Sequence, residues 1–266
     1  MQQSISQPSY PSQMQISTSL LANIAIILVR PKYPGNIGAT ARIACNMGIN
    51  RLLVVCDKLP DREPMAQMAT HKAAHIIDHL ERHDTLEAAL AEYSVVIGTT
   101  ARRGRQRIVE KSPRQMVETI LPQLQNNKVA LLFGPEDSGL TNDDLRYCQL
   151  LSAIPTDDFS SLNLAQAVAI HCYELYYGTL QSQKDIVPAP KTASTFELES
   201  MYSYLEKSLT RMDFMGEKSH IYWMNNIRHF FARTKLTSKD TNIIRRVCKK
   251  FLLFHNAHTK RENGDL

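Results

Sequence analysis

The stretch "IAIILVRPKYPGNIGATARIACNMGINRLLVVC", residues 24–56, decides the fold. It opens with six apolar residues, Ile24 to Val29, a run that suits a strand covered on both faces. A second such run, "RLLVVC", closes it at 51–56. Between them "GATARIACNMG" (38–48) reads as a helix stopped at Gly48. Two buried strands joined through a helix form the unit from which parallel sheets are built.

The alternation continues along the chain. "MAQMATHKAAHII" (65–77) and "TLEAALAE" (85–92) predict helices, and "SVVIGT" (94–99) a strand. A helix over 112–124 is entered through Ser112 as cap and Pro113 as first residue. "VALLFG" (129–134) is the next strand, "TNDDLRYC" (141–148) a short helix capped by Thr141, and "QLLSAIP" (149–155) the last strand. A long helix over 161–178 follows, with Ser161 as its cap and Gly178 as its stop. The fold class is therefore α/β, a mostly parallel sheet with helices on both faces. Residues 179–196, polar and carrying Pro188 and Pro190, read as a linker. Beyond it, 197–214, 222–236 and 241–260 read as three helices, the last with Ile243, Ile244, Val247, Phe251 and Phe254 tracing one apolar face.

Composition sets outer bounds. A chain of 266 residues can bury one substantial core and a smaller second one. With 43% hydrophobic and 21% charged residues, global disorder is excluded. The longest apolar run, 21–29, is too short to span a membrane, so no membrane partner is expected. The first 19 residues carry no charge and are rich in Gln, Ser and Pro, a floppy tail without the features of a secretory signal. Five scattered cysteines suit reduced core thiols in the cytoplasm better than disulfides. The net charge of +5 is unevenly spread: residues 201–261 hold 13 Lys or Arg against 4 Asp or Glu, a surface for a polyanion.

Three glycine-rich segments carry the chemistry. "PGNIGATAR" (34–42) lacks both the dinucleotide fingerprint and the phosphate-cradling GxxxxGK pattern; it is either a plain turn and helix cap or an anion site with Arg42 nearby. "GTTARRGRQR" (98–107) sets Arg102, Arg103, Arg105 and Arg107 behind a strand, where α/β ligands bind. "LLFGPEDSGLT" (131–141) presents Glu136 and Asp137, which could work as acid and base, hold a metal, or shape a loop. No aromatic sugar platform accompanies them. His71, His75 and His79 lie at helical spacing without a fourth ligand, so no metal is expected. If the sheet is parallel, the tips after its strands share one edge and can form one pocket.

In this order and spacing, "PGNIGATAR", "LLFGPEDSGLT" and "IPTDDFSSLNLAQAVAI" (154–170) resemble the three signature motifs of the SPOUT superfamily of RNA methyltransferases, in its 2'-O-ribose (SpoU/TrmH-like) branch. "VIGTTARRGRQR" and the basic C-terminal helices resemble its TrmJ group. The resemblance implies a trefoil-knotted domain, a homodimer, S-adenosylmethionine as cofactor and tRNA as partner. The implied reaction is 2'-O-methylation of a cytidine or uridine in the anticodon loop, at nucleotide 32, with another tRNA or rRNA site as the alternative. Asn36, Arg42, Glu136, Ser161 and Asn163 take the catalytic positions. Thr99, Thr100, Ala101, Gly134, Glu136, Ile154, Ser161 and Leu162 line the cofactor pocket. Arg42, Arg102 and one of Arg103 or Arg105 hold RNA, the run "ARRGR" being one residue longer than the usual one. The implied boundaries are a disordered tail 1–20, a methyltransferase domain 21–178, a linker 179–196, a basic helical region 197–256 and a flexible end 257–266. Two rivals remain at this level: an RNA-binding module without catalysis, and a nucleotide-dependent oxidoreductase that lacks its fingerprint.

Overall fold

The computed structural model describes residues 20–101, 110–158, 161–181, 187–216 and 219–262. Nearly all of the tail 1–20, the last four residues and Arg102, Arg103, Arg105 and Arg107 lie outside the described residues. Seven strands form one sheet in the order β3-β2-β1-β6-β4-β7-β5. They are β1 (Ile24–Val29), β2 (Arg51–Val55), β3 (Glu81–His83), β4 (Val95–Thr99), β5 (Glu110–Lys111), β6 (Val129–Phe133) and β7 (Leu150–Ser152). Every neighbouring pair is parallel.

The two-residue period of a strand divides β1 between two cores. Ile24, Ile26 and Leu28 enter one, while Ala25, Ile27 and Val29 enter the other. The first core is covered by α1 (Pro34–Asn46), α2 (Arg62–Asp78), α4 (Pro113–Ile120) and α6 (Leu164–Gln181). The second is covered by α3 (Leu86–Leu90) and α5 (Asn142–Leu145). A fully buried six-residue strand is the reason that no polar residue interrupts this run.

The expected caps hold for two helices. Ser112 and Gln115 form a capping box on α4, and Thr141 and Asp144 form one on α5. Asp144 also takes a bidentate bond from Arg30. Burial alone would raise its carboxyl, but the bonds from Arg30 and Thr141 hold it below the usual carboxylate range.

Five expectations need correction. First, α1 begins at Pro34 rather than Gly38, so the glycines of "PGNIGATAR" are helical and do not form an open turn. Gly38 is required there because a Cβ would stand 2.0 Å from the Met65 carbonyl oxygen of α2. Second, α2 is broken at Thr70, whose φ of 61° is non-helical. Third, α6 starts at Leu164 and is capped by Asn163, not Ser161: the Asn163 Oδ1 accepts from the amides of Ala165 and Gln166. The helix passes through Gly178 instead of ending there, because the glycine lets it lie against Val117. Fourth, β3 and β5 are short polar strands at the two edges of the sheet, and neither offers an apolar run to read. Fifth, the apolar face expected on the last helix is not the one that packs.

The C-terminal helices are α7 (Thr195–Arg211), α8 (His220–Ala232) and α9 (Ser238–Glu262). Met201, Tyr202, Met215 and Met224 form their core, with Ile244 against it. Along α9, Thr241, Ile244 and Cys248 face inward at helical spacing. Ile243, Val247 and Phe254 sit about 100° away around the helix and stay exposed. The unit is anchored to the α/β domain by backbone: the amides of Thr195 and Phe196 donate to the carbonyls of Tyr93 and Ala91. The Asn127 side chain holds Pro190 and Thr192 at the approach.

Candidate active site

The second and third glycine-rich segments meet at the C-terminal edge of the strands. Thr99 ends β4 with Thr100 and Ala101 just beyond it, Gly134 to Leu140 follow β6, and Ile154, Thr156, Asp157, Asp158, Ser161 and Leu162 follow β7. Together they line a cavity of about 850 Å³. All eight residues expected to hold a cofactor border this space: Thr99, Thr100, Ala101, Gly134, Glu136, Ile154, Ser161 and Leu162. A volume of this size suits a nucleoside-sized ligand.

The loops are fixed by the strands beside them. The Thr99 hydroxyl donates to the Leu132 carbonyl at 2.8 Å, and the Thr100 amide to the Ser152 carbonyl at 3.0 Å. After β6 the chain doubles back so tightly that Gly134 touches the backbone of Gly139 and Leu140. A Cβ on Gly134 would lie 2.3 Å from atoms of both. Gly139 closes the turn with a φ of 67°, in the left-handed region that glycine tolerates.

Glu136 belongs to the start of α1. Its carboxylate accepts from the Lys32 amide at 2.9 Å, the Tyr33 amide at 3.4 Å and the Asn36 side chain at 2.7 Å. The anion expected at this helix N-terminus is thus supplied by the chain itself. Asn163 continues the network by donating to Asn36 at 3.2 Å. Asn36, Glu136 and Asn163, from three segments, form one hydrogen-bonded chain beside the cavity. Asp137 pairs with Lys32 at 2.5 Å, which holds its carboxyl below the ordinary range.

Arg42 is not brought into the cavity wall. It stands on α1, exposed and about two turns beyond Asn36, with no acidic partner among the described residues. The whole histidine ladder follows the break at Thr70. His75 and His79 bond to backbone carbonyls of Lys72 and His75, and the described residues contain no cluster able to hold a metal.

One wall residue went unread in the sequence. His171, on α6, is buried beneath the cavity, with its Nδ1 2.8 Å from the Ala167 carbonyl and its Nε2 3.0 Å from the Ser152 hydroxyl. The carbonyl only accepts, so Nδ1 carries the proton and the Ser152 hydroxyl donates to Nε2. Burial pushes this imidazole down from 6.5 to about 4, and the Ala167 bond only partly opposes the shift. An unfolded chain therefore binds a proton that the folded one refuses between pH 6.5 and about 4. Stability contributed above that window falls as pH drops through it, by about 3 kcal/mol in total. Urea unfolding of the wild type and His171→Gln across this range will show the variant's slope reduced by one proton; identical slopes would assign the effect elsewhere. His171 left no clearer trace in sequence than any histidine within an apolar helix.

Comparison with known proteins places this geometry. The family described as "SpoU rRNA Methylase family" matches residues 23–173, and "tRNA methyltransferase TrmJ, C-terminal domain" matches 196–263. The tRNA (cytidine/uridine/adenosine-2'-O-)-methyltransferase TrmJ of Pseudomonas aeruginosa is 36% identical over 239 residues, covering 85% of this chain and 92% of its own. The tRNA (cytidine/uridine-2'-O-)-methyltransferase TrmJ of Salmonella typhimurium is 35% identical over 232 residues, covering 85% and 95%. The crystal structure of TrmJ from Z. mobilis superposes with a TM-score of 0.74 at 30% identity, covering 85% of this chain and 97% of that one.

Proposed function

The chain belongs to the SpoU rRNA methylase family, and we propose that within it this protein methylates a ribose 2'-hydroxyl of a cytidine or uridine in the tRNA anticodon loop, at nucleotide 32, in the cytoplasm. The observation that carries this reading is the gathering of all eight expected cofactor residues around one cavity at the strand ends. When bound there, S-adenosylmethionine supplies an electrophilic methyl group on its sulfonium.

The cavity fits that cofactor. Thr99 to Ala101, Ile154 and Leu162 provide backbone groups and apolar wall, and Gly134 gives room that a side chain would close. We assign a deep C-terminal trefoil knot to the methyltransferase domain 21–178, and residues 197–256 to RNA binding. The 2'-hydroxyl is a weak nucleophile that must be aligned while it loses its proton. The role of Arg42 is to grip the neighbouring phosphate through its planar guanidinium and favour the developing alkoxide. Glu136, bonded to Asn36 and the start of α1, shapes the loop between cavity and helix and is not the acid or base. Arg102 with Arg103 or Arg105 is assigned to RNA holding from its sequence motif.

A homodimer completes the reading. Tyr33 before α1 and Ile170, Tyr173 and Tyr177 on α6 are exposed large side chains on two helices packed together. A second copy seated there would remove their apolar surface from water.

The direct test is transfer of labelled methyl from S-adenosylmethionine to unmodified tRNA, followed by mapping of the labelled nucleotide. Label on a 2'-hydroxyl of the anticodon loop is the expected result. Cofactor binding without any label on tRNA would overturn the substrate assignment.

A further inference from the structure

A second cavity, of about 440 Å³, lies between the α/β domain and the C-terminal helices. It touches the opposite end of the sheet from the first: Ser94 and Val95 at the entry to β4 and Leu150 at the start of β7. We propose that it binds one nucleotide unit, with the base inside and the phosphate at the rim. The choice of RNA as its source rests on the function proposed above; the cavity's chemistry does not.

Its frame is built rather than incidental. The Ala193 amide donates to the Leu236 carbonyl, and Thr195 is tied to Tyr93 through both its amide and its hydroxyl, each at 2.8 Å. Across the cavity, Arg228 of α8 is held by both carboxylate oxygens of Glu199 on α7 and lies 4.4 Å from the centre of the Tyr202 ring. On the facing wall, Arg146 lies 4.8 Å from the centre of the Tyr147 ring and donates to its hydroxyl at 2.6 Å. Two aromatic rings, each with a guanidinium over it, thus border one space that is otherwise lined largely by apolar groups.

Charge selects the class of occupant. Five cations border the cavity (Lys111, Arg146, Arg228, Arg233 and Lys235) against a single carboxylate, Glu199, which Arg228 already engages. Arg233 and Lys235, exposed just past the end of α8, have no acidic partner among the described residues. An apolar, aromatic interior beneath unpaired rim cations matches a planar group joined to an anion. A nucleotide carries both in one unit, and its size suits this volume.

The test uses the full chain and titration calorimetry with uridine 5'-monophosphate, with inorganic phosphate as a control for simple anion binding. Two variants locate the site. Ala232→Trp places an indole from the α8 wall into the space, and Arg233→Ala with Lys235→Ala removes the rim charge. Saturable binding weakened about tenfold or more by each variant supports the proposal. Failure of the mononucleotide to bind, binding no better than phosphate, or binding indifferent to both variants overturns it. Methyl transfer then separates the two sources of the same chemistry. A raised KM for tRNA with unchanged kcat in the variants identifies an RNA nucleotide, and an unchanged KM identifies a free mononucleotide. Intact nucleotide binding in a chain that never methylates tRNA would sink the proposed function and leave this site standing.

Discussion

Arg42→Ala will lower methyl transfer to tRNA by about 10²–10³-fold, the usual effect of removing one preorganised charge from a developing anion, while S-adenosylmethionine binds as before. The two halves of this result come from one observation. Arg42 stands on α1 outside the wall of the cavity at the strand ends, exposed and without an acidic partner among the described residues. Its loss leaves Gly134, Ile154 and Leu162 in place, so the cavity proposed to hold the cofactor keeps its shape. What disappears is the guanidinium to which the proposed function gives the RNA phosphate. Single-turnover kinetics with equilibrium dialysis of labelled cofactor will separate chemistry from binding. Parallel loss of both would assign Arg42 to cofactor holding. Arg42→Lys will recover little, because an ammonium cannot reproduce the planar fork of a guanidinium on phosphate.

Gly134→Ala has the opposite signature. The new Cβ would stand 2.3 Å from Gly139 and Leu140, both backbone atoms that cannot rotate away. The loop must open, at a cost of about 3 kcal/mol if it behaves as a strongly overpacked site. Since that loop is cavity wall, cofactor affinity will fall by roughly 100-fold or more, the same energy expressed as binding. Calorimetry with S-adenosylmethionine reads this directly, and thermal unfolding reports how much is global. A variant that binds normally would show that the loop has slack the close backbone contact denies.

The arrangement of the site was legible because its pieces are local. Each glycine-rich segment follows a buried apolar strand, and a parallel sheet delivers all such tips to one edge. What resisted reading depends on contacts between distant residues. The helical start of "PGNIGATAR" is set by Glu136, 100 residues from the Asn36 it bonds. The passage of α6 through Gly178 depends on Val117. Strands β3 and β5 are held by their neighbours' ladders and carry no apolar pattern of their own. The exposed stripe of α9 differs from its buried one by a single helical step, which the spacing of apolar residues alone does not resolve. The second cavity joins Tyr147 to Tyr202 across the linker, and no local motif announces it. The arginine-rich segment behind β4 was conspicuous in sequence, yet its arginines lie outside the described residues.

The strand order carries a consequence for how the chain is made. β1 and β4 never pair with each other; each pairs with β6, which comes from residues 129–133. A chain emerging from the ribosome in order therefore leaves one edge of β1 and both edges of β4, whose other neighbour β7 also comes later, open until its middle third has been synthesised. The keystone strand arrives after the stones on either side of it. Arrested nascent chains ending before Val129 will be protease-sensitive throughout, and resistance will appear in one step once β6 can enter.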